Sequence, residues 1–309
     1  RGTLVISTEA FHPMAGIIVT SYHLAVRQWL LCATAIFACA CPVDGQILSP
    51  LPPDQSESST NAQVARLPHY QLDIELHPQQ RRVKVQQATR WTNHGTRATS
   101  ELVFQVTANN KLSDEMIDLG ERTFESLRLE PRHSIDYHGR RFHLNHGTVD
   151  GNAVECTFNP KHDTQMHVAL PEPVQPGGSV EVTLDFWIDI PQVMGRLGQH
   201  KGVTNLLNWY PVLAVYNDNA WKPVPYIPWH QPWHNEAGNY DVSLRLPASY
   251  KLVTGGHIVN RTIDSDGYQQ LHIKGEGLRD FTIVASERFQ VRTSQSEGIP
   301  IRVLHFAEH

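Results

Sequence analysis

From Tyr70 onward the chain changes to a period of two, and that alternation limits what it can fold into. Tyr70, Leu72, Ile74 and Leu76 fall on one face of an extended segment, with Gln71, Asp73 and Glu75 on the other. Val83 and Val85 begin a second such segment that runs to Trp91, and Glu101–Val106 is a third. The pattern returns at 141–144, 154–158, 165–170, 180–188, 240–246, 257–263, 268–274, 281–286, 289–293 and 301–304. Turn chemistry separates these runs: Asn145-His146-Gly147 and Gln175-Pro176-Gly177-Gly178 read as hinges, and Asp264-Ser265-Asp266-Gly267 reads as a hairpin turn. A short helix is expected over Ser113–Leu119, with Ser113 as its N-cap and acids in its first turn. No apolar pattern with helical spacing reaches three turns after residue 66. About 14 short strands at turn-punctuated spacing predict an all-β fold, a multi-stranded antiparallel sandwich or saddle.

One stretch stands apart from this alternation. Asn208–Tyr226 holds Trp209, Trp221, three tyrosines and three prolines. Each aromatic ring has roughly 150–250 Å² to bury, so such a run seeks a core or a partner. Trp209–Tyr216 reads as a strand and Asn217-Asp218-Asn219 as a turn, while Pro223 and Pro225 exclude helix.

Taken together, Trp209-Tyr210-Pro211, the turn, Trp221, Pro225-Tyr226 and Gly238-Asn239-Tyr240-Asp241-Val242 resemble a known pattern. It is that of the N-terminal, non-catalytic domain in bacterial members of the membrane alanyl aminopeptidase family, which are gluzincin zinc peptidases. The resemblance extends to Tyr70–Leu76 and Arg279–Ser286, and spans most of residues 67–304. It implies a β-saddle, followed in the family by a helical domain that carries the zinc and the Gly-x-Met-Glu-Asn substrate motif. It also implies that a Gln or Glu of the β-domain helps hold the substrate's α-amine. Gln231 and Glu236 are the candidates for that role here. No cofactor is expected in this chain, since zinc belongs to the catalytic domain. The implied partners are that domain and a peptide substrate.

The first 66 residues obey different rules. The apolar run Trp29–Cys41, preceded by Arg27, is shorter than the roughly 20 residues of a bilayer span and fits a secretory segment. Ala38-Cys39-Ala40 has the small-x-small form of a cleavage site, and Met14 is a candidate start. An uncleaved membrane anchor and a lipid anchor at Cys41 are the alternatives. Residues 44–66, rich in Pro, Ser and Gln, read as a disordered tether. The expected organisation is an export segment over 1–43, this tether, a β-domain over 67–293 and the start of a further domain over 294–309. An exported location follows. Cys156 is then the one cysteine of the folded part, in an alternating run where a small buried hydrophobe is the simplest role.

Charge and motifs exclude several functions. A formal net charge of −5, with no concentrated basic stretch, gives no footprint for nucleic acid. No Gly-x-Ser-x-Gly elbow, phosphate loop or dinucleotide fingerprint is present. His230 and His234 have the outer spacing of His-Glu-x-x-His, but Gln231 replaces the general base and Pro228 and Pro232 oppose a helix. His305 to His309 spells the inverted His-x-x-Glu-His on a strand-like run rather than a helix. His133, His138, His143 and His146 read as exposed turn residues. The expected function is therefore that of a non-catalytic domain shaping the cleft of an aminopeptidase-like protein. The alternative is a stand-alone surface module for peptide or glycan, with Trp209, Trp221, Trp229 and Trp233 as its platform.

Overall fold

A computed structural model describes residues 5–8, 64–227 and 234–308. Apart from residues 5–8 and 64–66, the export segment and the tether lie outside the described residues. In chain order the strands are β1 (Val5–Thr8), β2 (His69–His77), β3 (Arg82–Thr92), β4 (Thr99–Gln105), β5 (Phe142–Val149), β6 (Asn152–Ala153) and β7 (Cys156–Asn159). Next come β8 (His162–Val174), β9 (Ser179–Asp189), β10 (Leu197–His200), β11 (Val203–Leu206), β12 (Val212–Leu213), β13 (Val215–Asn217) and β14 (Ala220–Lys222). The last are β15 (Gly238–Pro247), β16 (Lys251–Thr254), β17 (His257–Ile263), β18 (Tyr268–Leu278), β19 (Ile283–Ser286), β20 (Gln290–Ser296) and β21 (Ile299–His305). The fold is all-β, as the alternation predicts, with more strands than the 14 expected.

An eight-stranded sheet in the order β17-β18-β15-β2-β3-β9-β5-β6 forms the main layer. Its strands are antiparallel except for β2 and β15, which run parallel from His69↔Asn239 to Glu75↔Arg245. That parallel pair departs from the expected antiparallel order. A parallel pair needs a long crossover, and the chain between these strands supplies the sheet β12-β4-β8-β7 as well as other strands of the large sheet. Two four-stranded sheets, β12-β4-β8-β7 and β10-β11-β19-β16, complete the sandwich. A hairpin, β13-β14, and a three-stranded sheet, β1-β21-β20, are the remaining sheets. The boundary drawn at residue 293 falls inside β20.

Alternation becomes burial directly. Tyr70, Leu72, Ile74 and Leu76 are at most 2% exposed and meet Val83, Val85, Val182, Leu184 and Phe186 of the same face. Phe104 and Met166 from one small sheet, and Leu206 and Ile283 from the other, join the same core. Each such side chain contributes about 1.5–3 kcal/mol on leaving water. The turn residues also behave as read. Asp218 and Asn219 adopt φ of 52° and 57°, the left-handed pair that a two-residue hairpin requires. Asn219 Oδ1 then accepts from the backbone N–H of Thr96 and Arg97.

Three expectations fail for physical reasons. The helix, α1, runs over Asp114–Ser126, 13 residues, not seven. Ser113 caps it as predicted, accepting from Met116 N. Its inward face is Met116, Ile117, Gly120, Glu121 and Phe124, of which only Gly120 is buried, so its apolar period is too weak to read. The hinge at Asn145-His146-Gly147 is instead a bulge inside β5, between Leu144 and His146. The strand expected over 154–158 starts only at Cys156, as β7, because a break at 154–155 separates it from β6: β6 pairs with β5 of the large sheet while β7 pairs with β8 of another.

That crossing is tight. A Cβ on Gly147 would lie 2.6 Å from Cys156 Sγ and 3.3 Å from Leu184. Burial pushes the Cys156 thiol up to about 11, so it packs as a hydrophobe. Gly147→Ala should therefore cost about 1–3 kcal/mol by overpacking. Cys156→Ala, mild alone, should recover most of that loss in the double variant. Additive losses across this cycle in denaturant unfolding would show that the two sites do not touch.

Candidate functional site

The aromatic stretch is folded inward. Trp209 is 0% exposed, and Trp221 packs against the core with its ring tilted against those of Trp91 and Tyr216. The platform expected from Trp209 and Trp221 is therefore corrected: Trp209 is core and Trp221 is half-buried. Trp229 and Trp233 lie outside the described residues. Trp209 and Tyr210 turn into the core, which breaks the expected strand at 209–216 into the short β12 and β13.

Hydrogen bonds lock this stretch to three distant segments. Trp209 Nε1 donates to Phe281 O at 3.0 Å, and Phe281 N donates to the Tyr210 hydroxyl at 3.2 Å. Tyr210 in turn donates to the Tyr240 hydroxyl at 2.8 Å, and the Tyr70 hydroxyl accepts from Leu213 N at 3.1 Å. Tyr70 and Tyr240 are stacked at 5.0 Å. Burial raises all three phenols well above the usual tyrosine range. Gln87, fully buried on β3, donates to Pro211 O at 2.8 Å. The motif residues of the sequence are thus the rivets between the large sheet and the small one that contains β19.

A pocket lies on the rim of this joint, with largely apolar walls that include Val212, Val224 and Ile227, and with Gln105, Asn208 and Asn235 as its polar groups. Gln105, at the end of β4, donates to Asn235 Oδ1 at 3.0 Å and accepts from Val224 N at 2.7 Å. Asn235 is 7% exposed and donates to Asn208 Oδ1 at 3.3 Å. Its carbonyl accepts from Arg279 Nη1 at 2.8 Å. Asn208 itself has φ of 48°, a left-handed position that an asparagine tolerates. Beyond Tyr226 a second pocket holds Leu112, Phe124, Ile135, Met194 and Arg196. Its Asp136–Arg141 pair is bidentate, at 2.5 and 2.8 Å. Burial opposes ionisation of Asp136, yet Arg141 holds its carboxyl below the usual range.

Asp280 is the most perturbed carboxyl. Burial pushes it up to about 6, against the hydrogen bond that Asn208 N donates to Oδ2 at 2.8 Å. Its Oδ1 is buried with no hydrogen-bond partner among the described residues. Sequence reading missed Asp280, Asn208, Gln105 and Asn235. The one signal was an acid, Asp280, placed directly before the apolar run that begins at Phe281.

Of the two candidates for contact with a substrate amine, Glu236 is exposed beside Asn235. Surrounding atoms still push its carboxyl above the usual range. Gln231, like His230, lies outside the described residues, between the pocket residues Ile227 and His234. His234 is exposed.

Several of the remaining histidines have local partners. His143 stacks on Trp187 at 4.9 Å and bonds Asp189 at 3.1 Å, while His133 lies beside His200 and Glu130. His143, expected in an exposed turn, is thus a half-buried residue of β5. His305 Nδ1 is held by Phe306 O and Glu308 pairs with Arg288, while His309, the last residue of the inverted motif, lies outside the described residues. Among the described residues no three His, Cys, Asp or Glu side chains come together to hold a metal. Nor, among these residues, is any helix long and apolar enough to cross a membrane.

No protein-family model matches this sequence, and no curated protein does. Solved structures do match. An M1 zinc metallopeptidase from Deinococcus radiodurans aligns at 13% identity and a TM-score of 0.44, over 74% of this chain and 43% of that one. A mutant of that protein bound to a Tyr-Ser-Ala substrate aligns at 14% identity and a TM-score of 0.42, over 74% of this chain and 44% of that one. A two-domain M1 zinc metallopeptidase mutant bound to L-arginine aligns at 13% and 0.43, with the same coverage. The chain thus spans less than half the length of these structures.

Proposed function

We propose that this chain is the non-catalytic β-domain of an exported, zinc-dependent aminopeptidase-like protein, and that the pocket between Tyr226 and His234 belongs to the wall of its substrate cleft. One observation carries this reading. Trp209, Tyr210, Tyr240 and Phe281 of the aminopeptidase-like pattern are bonded to one another beside a rim that holds Asn208 and Asn235. A polar rim braced by a rigid aromatic joint suits a wall that orients a peptide without reacting with it. In this reading a following catalytic domain supplies zinc and activates water, while Glu236, with Gln231 near it in sequence, faces the peptide's α-amine.

The purified chain should therefore not hydrolyse aminoacyl-anilides, with or without added zinc. Turnover that a chelator abolishes would overturn the non-catalytic assignment.

A further inference from the structure

The large sheet ends very differently on its two sides. At one edge lies β6, two residues long. At the other lies β17, seven residues long and exposed throughout. Ile258, Val259 and Ile263 of β17 are 38%, 54% and 63% exposed. Among the described residues no strand pairs with its outer side. Proteins blunt such edges with proline, lysine, bulges or brevity. β17 has neither proline nor lysine, and Arg261 is its one formally charged residue. Its bulge, between Ile258 and Asn260, bends only the first half and leaves 260–264 in continuous register with β18.

The backbone of that straight half can be assigned. Asp264 N donates to Tyr268 O at 2.7 Å, so Asp264 turns its hydrogen-bonding groups toward β18. Antiparallel residues alternate in this respect. Thr262 and Asn260 therefore also face β18, opposite Gln270 and His272. Arg261 and Ile263 turn theirs outward.

We propose that this edge joins two copies of the chain, β17 against β17, antiparallel about a two-fold axis at Thr262. Only a few registers bring outward-facing residues together. A two-fold at Arg261 sets two guanidinium groups opposite each other, and one at Ile263 joins a single facing pair. The two-fold at Thr262 pairs each Arg261 with the partner's Ile263. That closes two hydrogen-bonded pairs with no like charges opposed, and the contact is self-complementary, as a two-fold demands. Five residues per copy bury well under the roughly 1,200 Å² of a stable interface, so the dimer is weak and forms at high concentration.

Sedimentation equilibrium of the full chain should show a mass that rises above 34.9 kDa with concentration. Arg261→Pro deletes an outward N–H that the fold does not use, and should abolish the rise. Association through the apolar N-terminal run would be untouched by it. Thr262→Cys places two thiols at the axis, where facing non-hydrogen-bonded residues lie about 4.5 Å apart, within disulfide reach. It should form a covalent dimer under mild oxidation much faster than Val291→Cys on the exposed edge strand β20. A mass that stays monomeric, association unchanged by Arg261→Pro, or equal cross-linking of the two cysteine variants would each overturn the proposal. The cross-linking comparison decides the matter even if Arg261→Pro fails to fold.

Discussion

Trp209→Ala should cost about 3–5 kcal/mol of stability, the range for emptying a fully buried Trp position. The ring is wholly buried, 5.3 Å from that of Tyr210, and its Nε1 satisfies Phe281 O. Removing it opens a cavity and orphans a buried carbonyl at once. Trp209→Phe should recover part of the packing but not the hydrogen bond, and so fall between. Urea unfolding with an unchanged slope is the measurement. A loss below 1 kcal/mol for Trp209→Ala would mean that the ring is a surface platform, and would favour the stand-alone binding module over the domain joint.

Asp280→Asn should act in the opposite direction. The folded state holds this carboxyl at about 6, whereas 3.8 is its ordinary value. The folded state therefore binds the proton more tightly than the unfolded chain does. The penalty is absent below pH 3.8, grows as pH rises toward 6, and is fully present above that. At about 1.4 kcal/mol per pH unit the upper limit is about 3 kcal/mol. An asparagine keeps an acceptor for Asn208 N and carries no charge. The variant should gain about 1–3 kcal/mol at pH 7 and lose the fall in stability between pH 4 and 6 that Asp280 causes. Wild-type and variant stability curves that run parallel from pH 4 to 7 would refute the assignment. A fold that keeps such a cost beside a pocket behaves as functional sites do.

How much of this was legible in advance depended on the range of the interactions. The alternation of Tyr70–Leu76 shows in the sequence because side-chain direction in a strand is a local property. So does the Asn217–Asn219 turn. Helix α1 was underestimated because it buries a glycine where a larger apolar residue would have marked its face. The break at Val154 was invisible because which sheet each half joins depends on β5 and β8, not on residues 152–159 themselves. The pocket was least legible. Gln105 meets Asn235 across 130 residues, and Asn208 meets Asp280 across 72. Apart from the position of Asp280 before an apolar run, nothing near these residues in sequence marks them as partners. The resemblance in the aromatic stretch did point to the right joint, since its Trp and Tyr residues are the ones that fasten it.

The central claim is that this β-domain works beside a zinc-bearing partner domain of the same protein. Sequencing the reading frame beyond the His309 codon tests it most directly. The account predicts a helical sequence containing His-Glu-x-x-His and a further Glu downstream, a ligand set that the described residues do not assemble. An immediate stop codon, or a following domain without that motif, would contradict it.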